Sequence, residues 1–304
     1  MNIAQCAADL ARYGTVKTDV EMSAFTTFKT GGKADLMIYP SSIENAAAVI
    51  RYANTNGVPL TVIGGGSNLV VGDHGIRGIV IRIAEDDVCA GRIEQRDDGR
   101  VWADACAKKR DLIEFAVSRG YGDCEFMVGV PGCVGGGIIM NAGTFMGNFI
   151  DILDSVVCID NAGVIREIKV KRAMAHYRGI DLPDICLVWG GYFIFKKKGE
   201  VAELRKAVDA IVADRKQKHP QDPSAGSVFK NPEGHASWKL VNDAGLKGRK
   251  VGGAMVSELH TNFIINAGGA TSSDIRELIG YVRSTVKDKF GVELNTEVRF
   301  VGEF

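Results

Sequence analysis

Residues 126–150, FMVGVPGCVGGGIIMNAGTFMGNFI, run without a single charge. A bilayer-spanning helix needs about 20 apolar residues, so the segment is long enough to cross a membrane. Its composition argues otherwise. Seven glycines, one proline and two asparagines fall inside it, and each glycine costs a helix ~1 kcal/mol relative to alanine. Such a stretch is expected to fold as a buried system of tight turns within a soluble domain, where backbone approaches backbone or a ligand. Glycine is in excess along the whole chain, 37 of 304 residues, against a usual ~7%. With seven prolines and no strict period, this is not a collagen-like pattern.

Lys plus Arg and Asp plus Glu both number 37, so no global field draws the chain to nucleic acid or an anionic membrane. Any anionic ligand must be held by local geometry. An apolar content of 46% and a charged content of 24% exclude disorder and coiled coil as the main character. At roughly 150 residues per domain the length suggests about two domains. The seven cysteines (6, 89, 106, 124, 133, 158 and 186) are odd in number and widely spaced, with no CxxC. They are expected to be reduced, mostly buried thiols, with neither a disulfide framework nor a metal site. The N-terminus, MNIAQCAADLARYG, lacks the basic start and long apolar core of a signal peptide. It reads as a short amphipathic helix, and the expected compartment is the cytoplasm.

The coarse order is mixed α and β. Lys33–Tyr39 reads as a strand, followed by Pro40, a capping box of Ser41 with Glu44, and a helix that stops at Gly57. Strands are expected at 58–63, 69–71 and 76–83, and hairpins at 92–107 and 152–170 with turns at Asp97-Asp98-Gly99 and Asn161-Ala162-Gly163. Helices are expected from about Lys109 to Gly120, over Val201–Lys218, from near Ser237 and over Thr271–Phe290. The closing stretch, Val292–Val301, alternates so as to put Val292, Leu294, Val298 and Phe300 on one face. The domain break is expected near residue 200, giving an N-terminal region 1–200 in two lobes that part near 65, and a C-terminal domain 201–304. A doubly wound Rossmann domain is disfavoured because Leu69 stands where a third glycine after Gly64 and Gly66 is required.

Two loops carry the chemistry. Gly64-Gly65-Gly66-Ser67-Asn68 directly follows a strand, and consecutive glycines let backbone N–H groups converge on an anion, with Ser67 and Asn68 adding side-chain donors. A plain tight turn accounts for the same residues equally well. The second loop is Pro131-Gly132-Cys133-Val134-Gly135-Gly136-Gly137, running to Asn141-Ala142-Gly143. Two such loops imply a ligand with more than one phosphate, or one long ligand crossing both.

These loops, with Met140 before the Asn141-Ala142-Gly143 triplet, resemble the FAD-binding domain of UDP-N-acetylenolpyruvoylglucosamine reductases. Pro223-Ser224-Ala225-Gly226-Ser227-Val228-Phe229-Lys230-Asn231-Pro232 is similar to that family's serine motif. Ala244-Gly245-Leu246-Lys247-Gly248, Val256-Ser257, His260-x-Asn262-Phe263-Ile264-x-Asn266 and Glu293-Leu294-x-x-Glu297-Val298-Arg299 continue the match to the C-terminus. The compact length looks like the branch without an extra tyrosine-bearing insertion.

The resemblance implies an α+β fold: a two-lobed FAD-binding domain of the PCMH or vanillyl-alcohol-oxidase type, plus a C-terminal substrate-binding domain. It implies a cytoplasmic flavoenzyme of peptidoglycan precursor synthesis, hence of cell-wall biogenesis, cell shape and division. NADPH reduces non-covalently held FAD, and the enolpyruvyl ether of UDP-N-acetylglucosamine is then reduced to UDP-N-acetylmuramate. The partners implied are this UDP-sugar and NADPH, with no nucleic acid, membrane or metal, and the chain is expected to act as a monomer.

By the same resemblance, Gly64, Gly65, Gly66, Ser67, Asn68, Pro131, Gly132, Gly135, Gly136, Asn141, Ala142 and Gly143 hold the cofactor. Arg178 binds the substrate carboxylate, Ser227 donates the proton, and Glu297 stabilises the intermediate. Tyr177, Lys230, Asn231 and Asn262 contact substrate. Read alone, each has a plainer role: Ser227 as turn chemistry, Glu297 as a solvated strand residue paired with Arg299, and Arg178 as a surface cation. Relatives carry a serine two positions after that arginine, where this chain has Ile180. Two other readings remain at this point, an O₂-reducing oxidase on the same FAD fold and a non-catalytic nucleotide-sugar binding protein.

Overall fold

The computed structural model describes residues 2–83 and 91–304; Cys89 lies outside the described residues. Helices among them are α1 (Ile3–Leu10), α2 (Ile43–Thr55), α3 (Lys109–Ser118), α4 (Val134–Ile139), α5 (Val201–Lys218), α6 (Ser237–Asp243) and α7 (Ser272–Phe290). The α+β expectation is met.

The chain forms two compact units that are interleaved in sequence. The first comprises 1–18, 36–65 and 78–215, and the second 19–35, 66–77 and 216–304. The sequence reading put a lobe break near 65 and a division near 200. The chain changes unit at 65/66, and α5 runs almost wholly within the first unit before the change at 215/216.

In the first unit an antiparallel sheet has the order Ile165–Lys169, Leu153–Asp160, Ile185–Phe193, Val101–Asp104, Ile93–Gln95. The turns that close its hairpins are those expected, with Gly99 at φ +84 and Gly163 at φ +78. A side chain at Gly163 would meet the Ala47 carbonyl at 2.9 Å. A parallel pairing joins Leu60–Ile63 to Ile79–Arg82. Ile38, Ala46, Ile50, Ile79, Ile81, Leu112, Val134, Ile138, Phe149, Val156 and Phe193 pack the core. The uncharged segment is central to that packing: Phe126 and Phe149 meet edge to face at 5.7 Å, and Phe149 and Phe193 at 6.0 Å. It does contain one turn system that is helical, α4, and no described helix is long and apolar enough to cross a membrane.

In the second unit an antiparallel sheet runs Ser224–Ser227, Phe263–Asn266, Ala254–Val256, Lys250–Val251. The stripe Ile275, Leu278, Ile279, Val282 and Val286 of α7 is buried among Phe28, Val70, Val228, Phe229 and Val241. Thr271 and Asp274 form a reciprocal capping box at the start of α7, and Gly291 ends it at φ +69. Asp73 adds a second clamp, accepting from the Ser272 and Ser273 N–H groups and from the Ser273 hydroxyl.

Three local expectations need correction. The cap of α2 is Ser42, whose hydroxyl accepts from the Asn45 N–H at 3.2 Å; Ser41 instead accepts from the Asn45 side-chain amide. The closing stretch is a strand only over Arg299–Val301, pairing in parallel with Leu69–Val71. Leu294 and Val298, both before the short strand, are buried, but Phe300 within it is 38% exposed, so the expected single apolar face does not extend to it. Cys106 is disulfide-bonded, against the expectation of seven reduced thiols, while Cys6, Cys124, Cys133, Cys158 and Cys186 are free.

Candidate active site

Each unit contributes its own set of site residues. In the first, the two glycine loops meet directly. A Cβ on Gly65 would lie 3.2 Å from Cys133 Sγ and 3.6 Å from Gly132 Cα, so the two loops pack closely enough that a side chain at 65 would crowd the Cys133 thiol. Gly132 takes φ +102, and its carbonyl accepts from the Lys109 N–H at 3.2 Å. The Val134 and Gly135 N–H groups donate to the Ala107 and Ala105 carbonyls at 2.8 and 2.9 Å. Gly135 packs so closely on Ala105 that a Cβ would sit 2.7 Å from the alanine Cβ. The loop is therefore pinned to the end of strand Val101–Asp104. Only Gly136 of the glycine run faces open space.

Asn141 is engaged by the protein's own backbone. It is buried, at φ +40. Its side-chain Oδ1 accepts from Ile150 N at 3.0 Å and its Nδ2 donates to the His176 carbonyl at 3.3 Å. The Ala142 N–H donates to the Gly137 carbonyl and the Phe149 N–H to the Ala142 carbonyl, and a Cβ on Gly143 would strike Asn148 Oδ1 at 2.2 Å. These three residues form a packed corner, and Asn141 ties that corner to the two-stranded hairpin Ala175–His176/Gly179–Ile180. Arg178 sits at the tip of this hairpin in the left-handed region, φ +64. A non-glycine residue held there costs of order 1–3 kcal/mol, a cost that clusters at functional positions. Its guanidinium lies 4.9 Å from the centre of the half-exposed Tyr177 ring. Ile180, two positions after Arg178, is buried in the core.

Lys109 is absent from the sequence-level site. It opens α3 on the same stripe as Leu112, Ile113 and Ala116 and is 5% exposed. Burial pushes its pKa down to about 8, helped by Arg215 and Arg178 and opposed by Cys133. Burial likewise raises the Cys133 thiol, against the pull of Lys109, Arg82 and Lys108. The signal in the sequence is a lysine in an apolar i, i+3, i+4, i+7 register.

In the second unit, Gly66 is at φ +66, and a Cβ there would lie 1.8 Å from the Phe25 carbonyl oxygen. Asn68 next to it holds the final segment: its Nδ2 donates to the Glu297 carbonyl at 3.0 Å, and its own carbonyl accepts from Arg299 N at 2.9 Å. The Glu297 N–H donates to the Val228 carbonyl at 2.7 Å, which places Glu297 beside the Val228-Phe229 peptide, the one that follows Ser227-Val228. Ser227 ends its strand opposite Phe263, after Gly226 at φ +75, and its hydroxyl makes no hydrogen bond among the described residues. Asn262 supports this peptide. Its Oδ1 accepts from Phe229 N at 3.0 Å and its Nδ2 donates to the Phe229 carbonyl at 2.9 Å, with the side chain buried. Both ends of the amide thus engage protein backbone, each keeping one further hydrogen-bonding capacity. Asn231 Oδ1 accepts from Ser237 N, and the Ser237 hydroxyl donates to the Lys230 carbonyl, so this turn is rigid at the backbone while the Lys230 side chain is not used in it.

The structure thus brings Asn68, Ser227 and Glu297 together in the second unit. It brings Gly65, Gly132 and Cys133 together in the first, with Arg178 tied to the same segment through Asn141. His260 packs on His219 and Phe263 at 5.4 and 4.8 Å, and burial lowers its pKa. Among the described residues no cluster suited to a metal ion occurs. The touching glycine loops, ringed by Arg82, Lys108 and Lys109, suit a ligand bearing phosphates.

Comparison with known proteins identifies such a ligand class. An FAD binding domain model matches residues 34–169, and the model of the UDP-N-acetylenolpyruvoylglucosamine reductase C-terminal domain matches 218–301. The reductase of that name from Listeria monocytogenes serotype 4a is 37% identical over 289 residues, 95% of each chain. The one from Staphylococcus aureus strain COL is 36% identical over 303 residues, 99% of this chain and 97% of the other. The crystal structure of the Thermus caldophilus enzyme superposes with a TM-score of 0.78 at 29% identity, covering 94% of this chain and all of that one. The chain belongs to the UDP-N-acetylenolpyruvoylglucosamine reductase family.

Proposed function

We propose that the chain is an FAD-dependent oxidoreductase that uses NADPH to reduce the enolpyruvyl ether of UDP-N-acetylglucosamine to UDP-N-acetylmuramate, a step of peptidoglycan precursor synthesis. The supporting observation is the rigid joint between the Ser227 loop and the Glu297 segment, the 2.7 Å bond from Glu297 N–H to the Val228 carbonyl. FAD, held by the glycine loops, supplies hydride chemistry to the vinyl carbon. The protein must meet the negative charge that builds next to the substrate carboxylate and then deliver a proton.

Arg178 suits the first task, since a guanidinium is always charged and grips a carboxylate through two parallel N–H donors. Its left-handed backbone fixes the direction in which the side chain leaves the hairpin. Ser227 suits the second. Its hydroxyl makes no hydrogen bond among the described residues, and its backbone is pinned on both sides by the strand pairing at Phe263 and the Val228 N–H bond to the Asn262 carbonyl at 2.8 Å. Glu297 adds a carboxyl group held by two backbone anchors, Val228 and Asn68. Lys230 offers a cation for the substrate diphosphate and Tyr177 an exposed ring beside Arg178. The same reading makes the enzyme a cytoplasmic monomer with no nucleic-acid or membrane partner, serving cell-wall growth and division.

Anaerobic stopped-flow absorbance tests it. NADPH should bleach the oxidised flavin band, and the enolpyruvyl UDP-sugar should then restore it. Bleaching without recovery would sink the substrate assignment, fast reoxidation by O₂ alone would favour an oxidase, and a chain that takes up no FAD would sink the flavoenzyme.

A further inference from the structure

The hairpin that carries Arg178 is very short. Its strands pair at Ala175↔Ile180 and His176↔Gly179, which leaves Tyr177 and Arg178 as a two-residue loop. Of the two, it is Arg178 that takes φ > 0, whereas the two-residue turns that follow strand twist put φ > 0 at the first position or at both. An isolated hairpin is marginal at best in water, so this one needs support from outside its ladder. At the base, the His176 carbonyl accepts from Asn141 Nδ2 and the Asp181 N–H donates to the Met174 carbonyl at 2.7 Å. Nearer the tip the support is the His176 ring. It fills the space over Gly179, where a Cβ would meet its Cε1 at 2.0 Å. Its Nε2 stands 3.3 Å from Asp181 Oδ1, and its Nδ1 3.3 Å from the Tyr177 carbonyl oxygen.

Both ring nitrogens therefore face acceptors. A neutral imidazole donates from one nitrogen and an imidazolium from both, so it is the charged ring that makes both contacts. Helix α4, which packs against Gly179–Ile180, is Val-Gly-Gly-Gly-Ile-Ile and brings no titratable group to the hairpin. The other charges on the adjoining segments are Arg178 itself, Lys171, Arg172, which pairs with Asp151, and Asp184. We propose that His176 and Asp181 form a proton-operated clamp on this hairpin, so that His176 is a positioning residue that presents Arg178 to the substrate carboxylate. The benefit to substrate rests on the role given to Arg178 above; the clamp itself rests on the hairpin's geometry. The two side chains are 54% and 76% exposed, and exposed pairs are weak. The clamp thus tunes substrate affinity by about 2–10-fold and does not switch it on or off.

The test uses the full chain loaded with flavin, as wild type, His176→Ala, His176→Gln and Asp181→Asn. Enzyme reduced by NADPH is mixed anaerobically with the enolpyruvyl UDP-sugar from about pH 5 to 8, the span in which histidines change charge. Flavin absorbance then gives a limiting rate and a half-saturating concentration. In the wild type the half-saturating concentration should rise about 2–10-fold across the span. In the variants it should stay flat near the wild-type value at pH 8 or above it, with limiting rates that follow the wild type. Glutamine, which can still donate to Asp181, should lie below alanine. One shared pH profile for all four proteins overturns the clamp. Backbone hydrogen exchange over residues 174–182, without substrate, reads the hairpin directly and should quicken in every variant. Unchanged exchange also overturns the clamp, and quicker exchange with unmoved half-saturation overturns the positioning role. A reduced wild type that the UDP-sugar fails to reoxidise refutes the proposed reaction, and the exchange rates then decide the clamp by themselves.

Discussion

Asn262→Ala isolates how much of the catalytic loop is held by one side chain. The wild-type amide closes both hydrogen-bonding groups of the Phe229 peptide, at 3.0 and 2.9 Å, with Asn262 and Phe229 5% and 2% exposed. Alanine leaves a buried N–H and a buried C=O without partners, and each orphaned group costs about 1–3 kcal/mol. The expected loss is roughly 2–6 kcal/mol, which at a urea m-value of about 2 kcal/mol per M lowers the midpoint by about 1–3 M. Asn262→Asp keeps the acceptor for Phe229 N but turns the donor into a second acceptor facing the Phe229 carbonyl. It should be no better than alanine at neutral pH. Because Val228, the residue before Phe229, anchors Glu297, the alanine variant should still be bleached by NADPH at the wild-type rate but be reoxidised more slowly by the enolpyruvyl substrate. A stability loss below about 0.5 kcal/mol with both half-reactions unchanged would refute the positioning role. Slowed reduction by NADPH would refute its confinement to the second half-reaction.

Ser227→Ala should leave bleaching by NADPH intact and slow reoxidation about 10²–10⁴-fold, the usual cost of a lost general acid; rapid-mixing absorbance reads both phases, and an unchanged second phase removes Ser227 from proton transfer. Gly66→Ala places a methyl 1.8 Å from the Phe25 carbonyl in a left-handed backbone and should cost at least about 2 kcal/mol by denaturant unfolding. The flavin-free chain should gain stability as pH rises from 8 towards 10.5. The folded Lys109 pKa of about 8 lies below its ordinary 10.5, so over that window the unfolded chain binds the extra proton. The gain is on the order of 3 kcal/mol at 1.36 kcal/mol per unit. Urea midpoints of wild type and Lys109→Met at pH 7.5 and 10 should converge at the higher pH, and parallel curves would contradict it.

Local signals in the sequence were reliable where one residue decides the backbone. The Asp97-Asp98-Gly99 and Asn161-Ala162-Gly163 turns, the α7 stripe and the stop at Gly57 all follow from φ > 0 or a 3.6-residue period. The family resemblance found both glycine loops, the serine loop and the final segment. Side-chain duties were harder, since nothing in the sequence marks Asn141 as bonded to the His176 and Ile150 backbone or Asn262 as bonded to that of Phe229. The cap of α2 slipped by one because Ser41 and Ser42 carry identical chemistry and differ only in backbone direction. Lys109 was legible as a charge on an apolar stripe, but the loops that surround it come from distant sequence. The interleaving was not legible, because pairing between residues 69–71 and 299–301 leaves no periodic mark.

That interleaving bears on how the chain is made. Helix α7 is clamped by Asp73, 199 residues upstream of Ser272, and Leu69 finds its strand partner only at Arg299. During synthesis the early pieces 19–35 and 66–77 must wait, with Phe28 and Val70 unburied, until residues 272–301 have left the ribosome. At about 5–20 residues per second that wait lasts on the order of ten seconds or more. The second unit therefore cannot be expressed as a C-terminal fragment, and the nascent chain's exposed apolar segments are the natural clients of a holding chaperone.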